Sequence, residues 1–174
     1  MDRRVLERVC ISDRRATPDG DLAAGVLRAV ATRGATLVIL RELDLAPDAQ
    51  AAWIRRLRPK LPPGVPLLLA RDAAGAAAAG ADGVQLGFGS VSAEEARRLL
   101  EPGALVGRSV HTPEEAAEAG LEGADFVLFG PVKSTPKPRP VAPVGFDALR
   151  AACEASRIPV VAVGGLTEVD APAV

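Results

Sequence analysis

Gly80-Ala81-Asp82-Gly83-Val84-Gln85-Leu86-Gly87 is the segment that best indicates the fold. A glycine that can end a helix and an aspartate stand directly before a short run bounded by glycines. The same step recurs at Gly123-Ala124-Asp125, where the apolar residues 126–129 follow it. Each copy predicts a tight return from a helix into a strand, because glycine readily takes the conformation that ends helices. Serial βα units allow a barrel or a doubly wound sheet, and this periodic return favours the barrel.

The sequence on either side alternates short apolar runs with segments rich in alanine, glutamate and arginine. Near-continuous apolar runs are typical of strands buried on both faces of a parallel sheet. The predicted strands cover residues 8–12, 36–41, 66–70, 83–86, 104–110, 125–129 and 159–163. The predicted helices cover residues 21–33, 47–58, 73–79, 93–101, 113–119 and 146–156, with a final stub from residue 168.

These elements make seven βα units with no linker between them. They predict an α/β fold of the (βα)8 TIM-barrel type, formed by a single domain over residues 1–174 that lacks the last βα unit. An open barrel would leave sheet edges with unpaired backbone groups. We therefore expect a homo-oligomer in which another chain covers an edge.

Composition excludes several classes of function. The chain has 174 residues and a formal net charge of -1, so it shows no electrostatic footprint for nucleic acid or an anionic membrane. Its two cysteines form no disulfide framework and no metal-ligand spacing, which favours a reducing, cytoplasmic location. We identify no signal peptide and no apolar run approaching the ~20 residues that span a bilayer.

The only histidine, His111, lies where a predicted strand meets a predicted helix. Thr112 as N-cap, Pro113 at the first helical position and Glu115 three residues after the cap form a helix start. In serial βα folds, this junction lies on the face that holds the chemistry. Histidine suits proton transfer near neutral pH, so His111 is the candidate catalytic residue. The alternative is a structural histidine bonded to nearby backbone.

Five motifs, taken in order, resemble the thiamin phosphate synthase/TenI superfamily of small (βα)8 barrels. They lie at residues 40–42, 80–87, 107–116, 123–131 and 158–167. The resemblance implies one of two activities. The synthase joins a pyrimidine pyrophosphate to a thiazole phosphate with magnesium. The enzymes of the TenI branch are thiazole tautomerases, which shift a proton on a carboxythiazole phosphate without a metal.

The magnesium-binding pattern of the synthase is altered in this sequence. Gln-x-Arg-x-Lys after strand two retains only Arg41, and Asn-Asp-Arg after strand three is replaced by Ala70-Arg71-Asp72. Gly-Gln-x-Asp after strand four ends here in Ser90. Asp72 stands one residue late, and successive strand residues point to opposite faces. We therefore expect no metal site and no cofactor.

The tetrad Ser109-Val110-His111-Thr112 resembles the TenI signature, whose histidine is catalytic. Together with the lost carboxylates, it predicts a thiazole tautomerase, an isomerase that acts by metal-independent proton transfer through His111. Two alternatives stay open. One is a thiamin phosphate synthase (thiamine-phosphate pyrophosphorylase) with altered ligands. The other is a non-catalytic or regulatory protein that binds a small thiazole phosphate.

The substrate would carry a phosphate, and Gly164-Gly165 offers backbone amides after strand seven to receive it. The alternative is a tight turn that requires glycine. Arg41 could hold a phosphate or carboxylate in a two-pronged fork, or form an ion pair with Glu42 or Asp44.

Three further residues are candidates for binding the substrate. Ser109 could bond to substrate or cap the next helix. By resemblance, Thr135 matches a threonine of the synthase loop after strand six. Lys137 stands one place before the lysine that the family usually has there.

Overall fold

A computed structural model describes residues 3–17, 20–135 and 142–173. Parallel strands alternate with helices along the chain, which confirms the predicted α/β class. The chain divides into two compact units, Met1–Val106 and Gly107–Val174. The single domain predicted for residues 1–174 stays a prediction.

The first unit contains four strands that pair in chain order, each parallel to the next. These are β1 (Val9–Ile11), β2 (Leu37–Leu40), β3 (Leu67–Ala70) and β4 (Gly83–Leu86). The helices are α1 (Leu22–Arg33), α2 (Pro47–Leu57), α3 (Ala73–Ala79) and α4 (Ala93–Leu99). Every residue of β2, β3 and β4 is buried. Pairing in chain order fits serial βα units and lacks the strand reversal of a doubly wound sheet.

The second unit takes up the remaining strands, of which β5 (Leu105–Val110) begins at the end of the first unit. It continues with β6 (Phe126–Phe129) and β7 (Val160–Ala162), which pair in the order β5-β6-β7 and are also parallel. Helices α5 (Pro113–Leu121) and α6 (Gly145–Ala155) follow β5 and β6. A 3-10 helix, Glu168–Ala173, stands where the sequence predicts a final helical stub.

Local signals explain where the helices begin and end. The hydroxyl oxygens of Ser92 and Thr112 each accept the backbone N–H three residues later, at 3.1 and 3.2 Å. The cap at Thr112 is predicted from the sequence. Gly80 ends α3 in the left-handed conformation, with φ 73°. The returns that suggested the fold are therefore real helix ends.

Predicted and observed strand bounds differ by no more than one residue at either end. Three 3-10 helices are not predicted from the sequence, because they have no periodic apolar pattern: Arg3–Leu6, Arg14–Ala16 and Arg58–Lys60. In the part of the chain that the structure describes, no helix is long and apolar enough to cross a membrane.

Candidate active site

A buried carboxylate organises the carboxyl ends of β1 and β2. Glu42 is 2% exposed, and its oxygens accept the Ser12 hydroxyl at 2.7 Å and the Arg14 backbone N–H at 3.2 Å. The Arg14 guanidinium reaches the same carboxylate at 3.1 Å. Ser12 Oγ also accepts the backbone N–H of Arg41 at 2.9 Å. The network therefore fixes the backbone from which the Arg41 side chain leaves the sheet.

Asp44 completes this network on its outer side. The Arg14 guanidinium donates to its two carboxylate oxygens at 2.6 and 2.5 Å, and Arg15 donates at 2.7 Å. The bond from Arg14 holds the pKa of Asp44 well below its ordinary value, and Asp44, followed by Glu42, raises the pKa of Arg14. Both acids that could pair with Arg41 are bonded to Arg14 instead. The ion pair considered for Arg41 does not form, and the residue is exposed.

The carboxyl end of β3 has an unusual backbone. Arg71 has φ 73° and is the only non-glycine residue with positive φ in the described ranges. Its N–H donates to the carbonyl of Gln85 at 2.8 Å, and its side chain is exposed. The next residue, Asp72, caps α3 by accepting the Gly75 N–H at 2.8 Å. Asp72 therefore serves the helix start, which argues against a role as a late metal ligand.

The loop after β4 is closed by its own serine. Ser90 Oγ accepts the Gly87 N–H at 3.0 Å, and Ser90 N–H donates to the Gly87 carbonyl at 3.0 Å. Phe88, between them, is 94% exposed. Among the described residues, no three His, Cys, Asp or Glu side chains lie together as a possible metal site. The donor set therefore does not fit a magnesium ion held by carboxylates at these strand ends.

In the second unit, His111 is fixed from both its ring and its backbone. Its Nδ1 lies 2.5 Å from the carbonyl oxygen of Gly130, directly after β6. Because a carbonyl only accepts, Nδ1 must carry a proton and donate it. The backbone N–H of His111 donates to Glu115 Oε2 at 2.6 Å. The structural role considered for His111 is therefore real, and it leaves Nε2 as the ring nitrogen that can meet a ligand.

Ser109 lies within β5, half-buried and opposite Leu128 of β6. It does not cap α5, because Thr112 fills that position. Its contact with substrate stays a prediction.

Gly164 and Gly165 form the turn after β7, with φ 92° and 69°. A Cβ on Gly165 would lie 2.6 Å from the Lys133 carbonyl oxygen and 2.5 Å from that of Ser134. The Lys133 N–H donates to the Gly164 carbonyl at 2.9 Å. The turn therefore requires glycine for its conformation and its packing. A phosphate at its amides stays a prediction.

The segment against this turn leads into the predicted substrate loop. Thr135 is half-buried and directly follows Ser134, so it lies one residue from the backbone that packs on Gly165. Lys137 lies outside the described residues, and its predicted role is not tested.

An ion pair that sequence reasoning missed anchors the end of the second unit. Lys133 Nζ lies 3.1 Å from both carboxylate oxygens of Asp170, which also accepts the N–H and hydroxyl of Thr167 at 2.8 and 3.0 Å. The Thr167 N–H, followed by Lys133, lowers the pKa of Asp170. The spacing Thr-x-x-Asp was a local signal that could have found the turn, but not the contact with Lys133.

A cavity at the amino ends of β3, β4 and β5 is a poorer candidate. Two of its charged lining residues, Arg58 and Asp82, pair with each other at 2.8 Å. Asp82 also accepts the Leu67 N–H at 2.7 Å. These polar groups already satisfy each other, and this end of a βα fold favours stability over chemistry.

Within the first unit, the structure brings Arg41 together with the Glu42 network. Within the second, it brings His111 to the end of β6 and Thr135 to the neighbourhood of Gly164 and Gly165. Each of these residues follows or ends a strand, as the sequence predicts for chemistry in a βα fold.

Comparison with known proteins gives a consistent family. Residues 9–174 match the family model for thiamine monophosphate synthase. A putative thiamine-phosphate synthase of Geobacter sulfurreducens is 42% identical over 93% of this chain and 76% of its own length. The thiamine-phosphate synthase of Anaeromyxobacter dehalogenans is 44% identical over 84% of this chain and 67% of its own. The structure of a thiamine phosphate pyrophosphorylase from Pyrococcus furiosus matches 98% of this chain and 81% of its own, with TM-score 0.84 and 30% identity.

These comparisons correct the functional prediction. Relatives that match most of the chain are named thiamine-phosphate synthase, so the thiazole tautomerase prediction, and the isomerase class with it, is wrong. The Ser-Val-His motif misled because it is a single short signal, whereas the comparisons weigh the whole chain. The resemblance to the superfamily is confirmed, and the chain belongs to the thiamine monophosphate synthase family.

Proposed function

We propose that this protein is a thiamine-phosphate synthase, a transferase that joins a pyrimidine pyrophosphate to a thiazole phosphate and releases pyrophosphate. The observation that carries the proposal is 42% identity over 93% of the chain to a relative named for that activity. The strand-end positions of Arg41, His111 and Gly165 support it, because βα folds place their chemistry there.

Displacement of pyrophosphate builds negative charge on the leaving group, so the site must present fixed positive charge and hydrogen-bond donors. In the first unit, the exposed residue Arg41 provides charge and a planar fork for phosphoryl oxygens. The backbone after β7, at Gly164 and Gly165, provides amides for the thiazole phosphate. His111 meets the substrate through Nε2, since Nδ1 is bonded to the Gly130 carbonyl. Ser109 and Thr135 stay proposed contacts.

The test is a direct synthase assay. The purified chain is incubated with the pyrimidine pyrophosphate and the thiazole phosphate, once in EDTA and once with magnesium, and thiamine phosphate is measured by chromatography. We expect product from the wild type and about 100-fold less turnover from Arg41→Gln. Arg55→Gln, on the exposed side of α2, is the matched control and should retain full turnover. No product under either condition would refute the synthase proposal.

One observation favours a second candidate, a protein that binds a thiazole phosphate without catalysis. The described residues lack the carboxylate set that the synthase pattern uses. Saturable binding of the thiazole phosphate by calorimetry, without product in the assay above, would establish this candidate. The predicted homo-oligomer and the predicted cytoplasmic location stay proposals, the first of which light scattering tests directly.

A further inference from the structure

Two arginines at neighbouring strand ends of the first unit differ from the arginines that pair with acids. Arg14 and Arg15 pair with Asp44, and Arg58 pairs with Asp82. Within the described ranges, the guanidinium groups of Arg41 and Arg71 have no acidic partner, and both residues are exposed. The paired arginines have structural roles that these two lack.

The sheet register brings these two positions to one edge. Leu40 lies opposite Leu69 in the pairing of β2 with β3, so Arg41 leaves β2 beside the last residue of β3. Arg71 follows that residue directly. Neighbouring strands lie about 4.8 Å apart, so the backbones that carry these cations are adjacent. An anion at this edge would relieve the repulsion between the two like charges.

The backbone at Arg71 also points to a role beyond the fold. A long side chain at φ 73° costs free energy that glycine would avoid, and other turns in this chain use glycine for positive φ. Strained non-glycine residues cluster at ligand sites, where the surrounding structure holds them. Here the bond from Arg71 N–H to Gln85 O holds the strained backbone against β4.

We propose that Arg41 and Arg71 form a metal-independent anion site that binds the phosphate or pyrophosphate group of the substrate. Two planar guanidinium forks match the oxygens of two linked phosphoryl groups. Where the synthase pattern has metal-binding carboxylates, this chain has Arg71 and Ser90. Carboxylates need a divalent cation before they can meet an anion, whereas Arg71 meets it directly. The identity of the substrate rests on the proposed function, but the anion site itself does not.

The experiment measures binding of inorganic pyrophosphate and, separately, inorganic phosphate by titration calorimetry in EDTA. We expect the wild type to bind pyrophosphate without metal. Arg41→Gln and Arg71→Gln should each weaken binding about tenfold or more, while Arg55→Gln on α2 should leave it unchanged. Pyrophosphate tighter than phosphate would identify a site for two phosphoryl groups, and equal affinities would identify a single-phosphate site. Melting curves for each variant confirm that the loss is not unfolding.

Three results would overturn the proposal: wild-type binding that requires magnesium, no binding in EDTA, or Arg71→Gln binding as tightly as Arg55→Gln. The synthase assay fails or succeeds separately. Metal-free pyrophosphate binding without product would leave the anion site standing and refute the synthase. If product forms only with magnesium and pyrophosphate does not bind in EDTA, the synthase proposal stands and the anion-site proposal is refuted.

Discussion

Replacement of Arg71 by glycine should stabilise the protein, and replacement by alanine should not. Both changes remove an exposed side chain, so they differ mainly in how they meet the backbone at φ 73°. A left-handed conformation costs a residue with a Cβ about 1–2 kcal/mol. Glycine avoids that cost but loses about 0.5–1 kcal/mol through the larger freedom of its unfolded chain. We expect Arg71→Gly to exceed Arg71→Ala in stability by about 0.5–1 kcal/mol.

The assay is urea unfolding, followed by circular dichroism, with thermal melts as a second measurement. For a chain of this length, 1 kcal/mol shifts Tm by about 2–4 °C, so the two variants should differ by about 2 °C. The matched control is the same pair at Arg55, which is exposed within α2. There the order should reverse, because glycine inside a helix is about 1 kcal/mol worse than alanine.

The sign reversal between the two positions is the decisive result. If Arg71→Gly is no more stable than Arg71→Ala, the backbone at this position carries no strain that glycine relieves. The argument that strain marks Arg71 as a ligand residue would then fail. If the glycine variant is more stable and also loses pyrophosphate binding, the wild-type arginine trades stability for function.

Three further predictions address polar contacts within each of the two units. Asp72→Ala should lower the free energy of urea unfolding by about 1 kcal/mol, because the helix cap is lost, and should leave the affinity for the anion unchanged. A changed affinity would show that Asp72 contributes to binding. Glu42→Gln should lower the free energy of unfolding by about 1.5–3 kcal/mol in the same assay, because the buried charged acceptor of the Arg14 bonds becomes uncharged. An unchanged free energy of unfolding would show that the Glu42 charge has no structural role. Asp170→Asn should lower Tm at pH 7. Folding lowers the pKa of Asp170 below its ordinary 3.8, so the stabilisation from its charge is present above that pH and is lost as pH falls through the folded pKa. The difference in Tm between wild type and variant should therefore shrink on acidification. A difference that stays constant would show that the ion pair with Lys133 does not stabilise the fold.

The fold was readable because its signals are local. Each strand is a short apolar run, and the ends of the helices carry caps within three or four residues, such as Ser92 and Thr112 before and Gly80 after. The 3-10 helices lack any such pattern, so no local feature predicted them. The sequence also put both candidate residues at strand ends: Arg41 is the last residue of one predicted strand, and His111 directly follows another. In the structure, both directly follow a strand.

The long-range contacts within each unit were out of reach for a different reason. Glu42 meets Ser12 and Arg14 across about thirty residues of sequence, and Lys133 meets Asp170 across thirty-seven. No spacing rule predicts a pair that only the packed chain brings together. The bond from His111 to Gly130 likewise joins the ends of two strands. These contacts decide which charges are committed to the fold and which stay available to a ligand.

The distinction between charges bonded within the fold and charges available to a ligand makes family membership consistent with the altered magnesium-binding pattern. Loss of the metal carboxylates argued against a synthase only if magnesium were the one source of positive charge at the leaving group. Arg71 stands where the synthase pattern has an aspartate, so it brings positive charge to the end of β3 without a divalent cation. The same substitutions that suggested a metal-free tautomerase are thus compatible with a synthase that meets its leaving group through arginine.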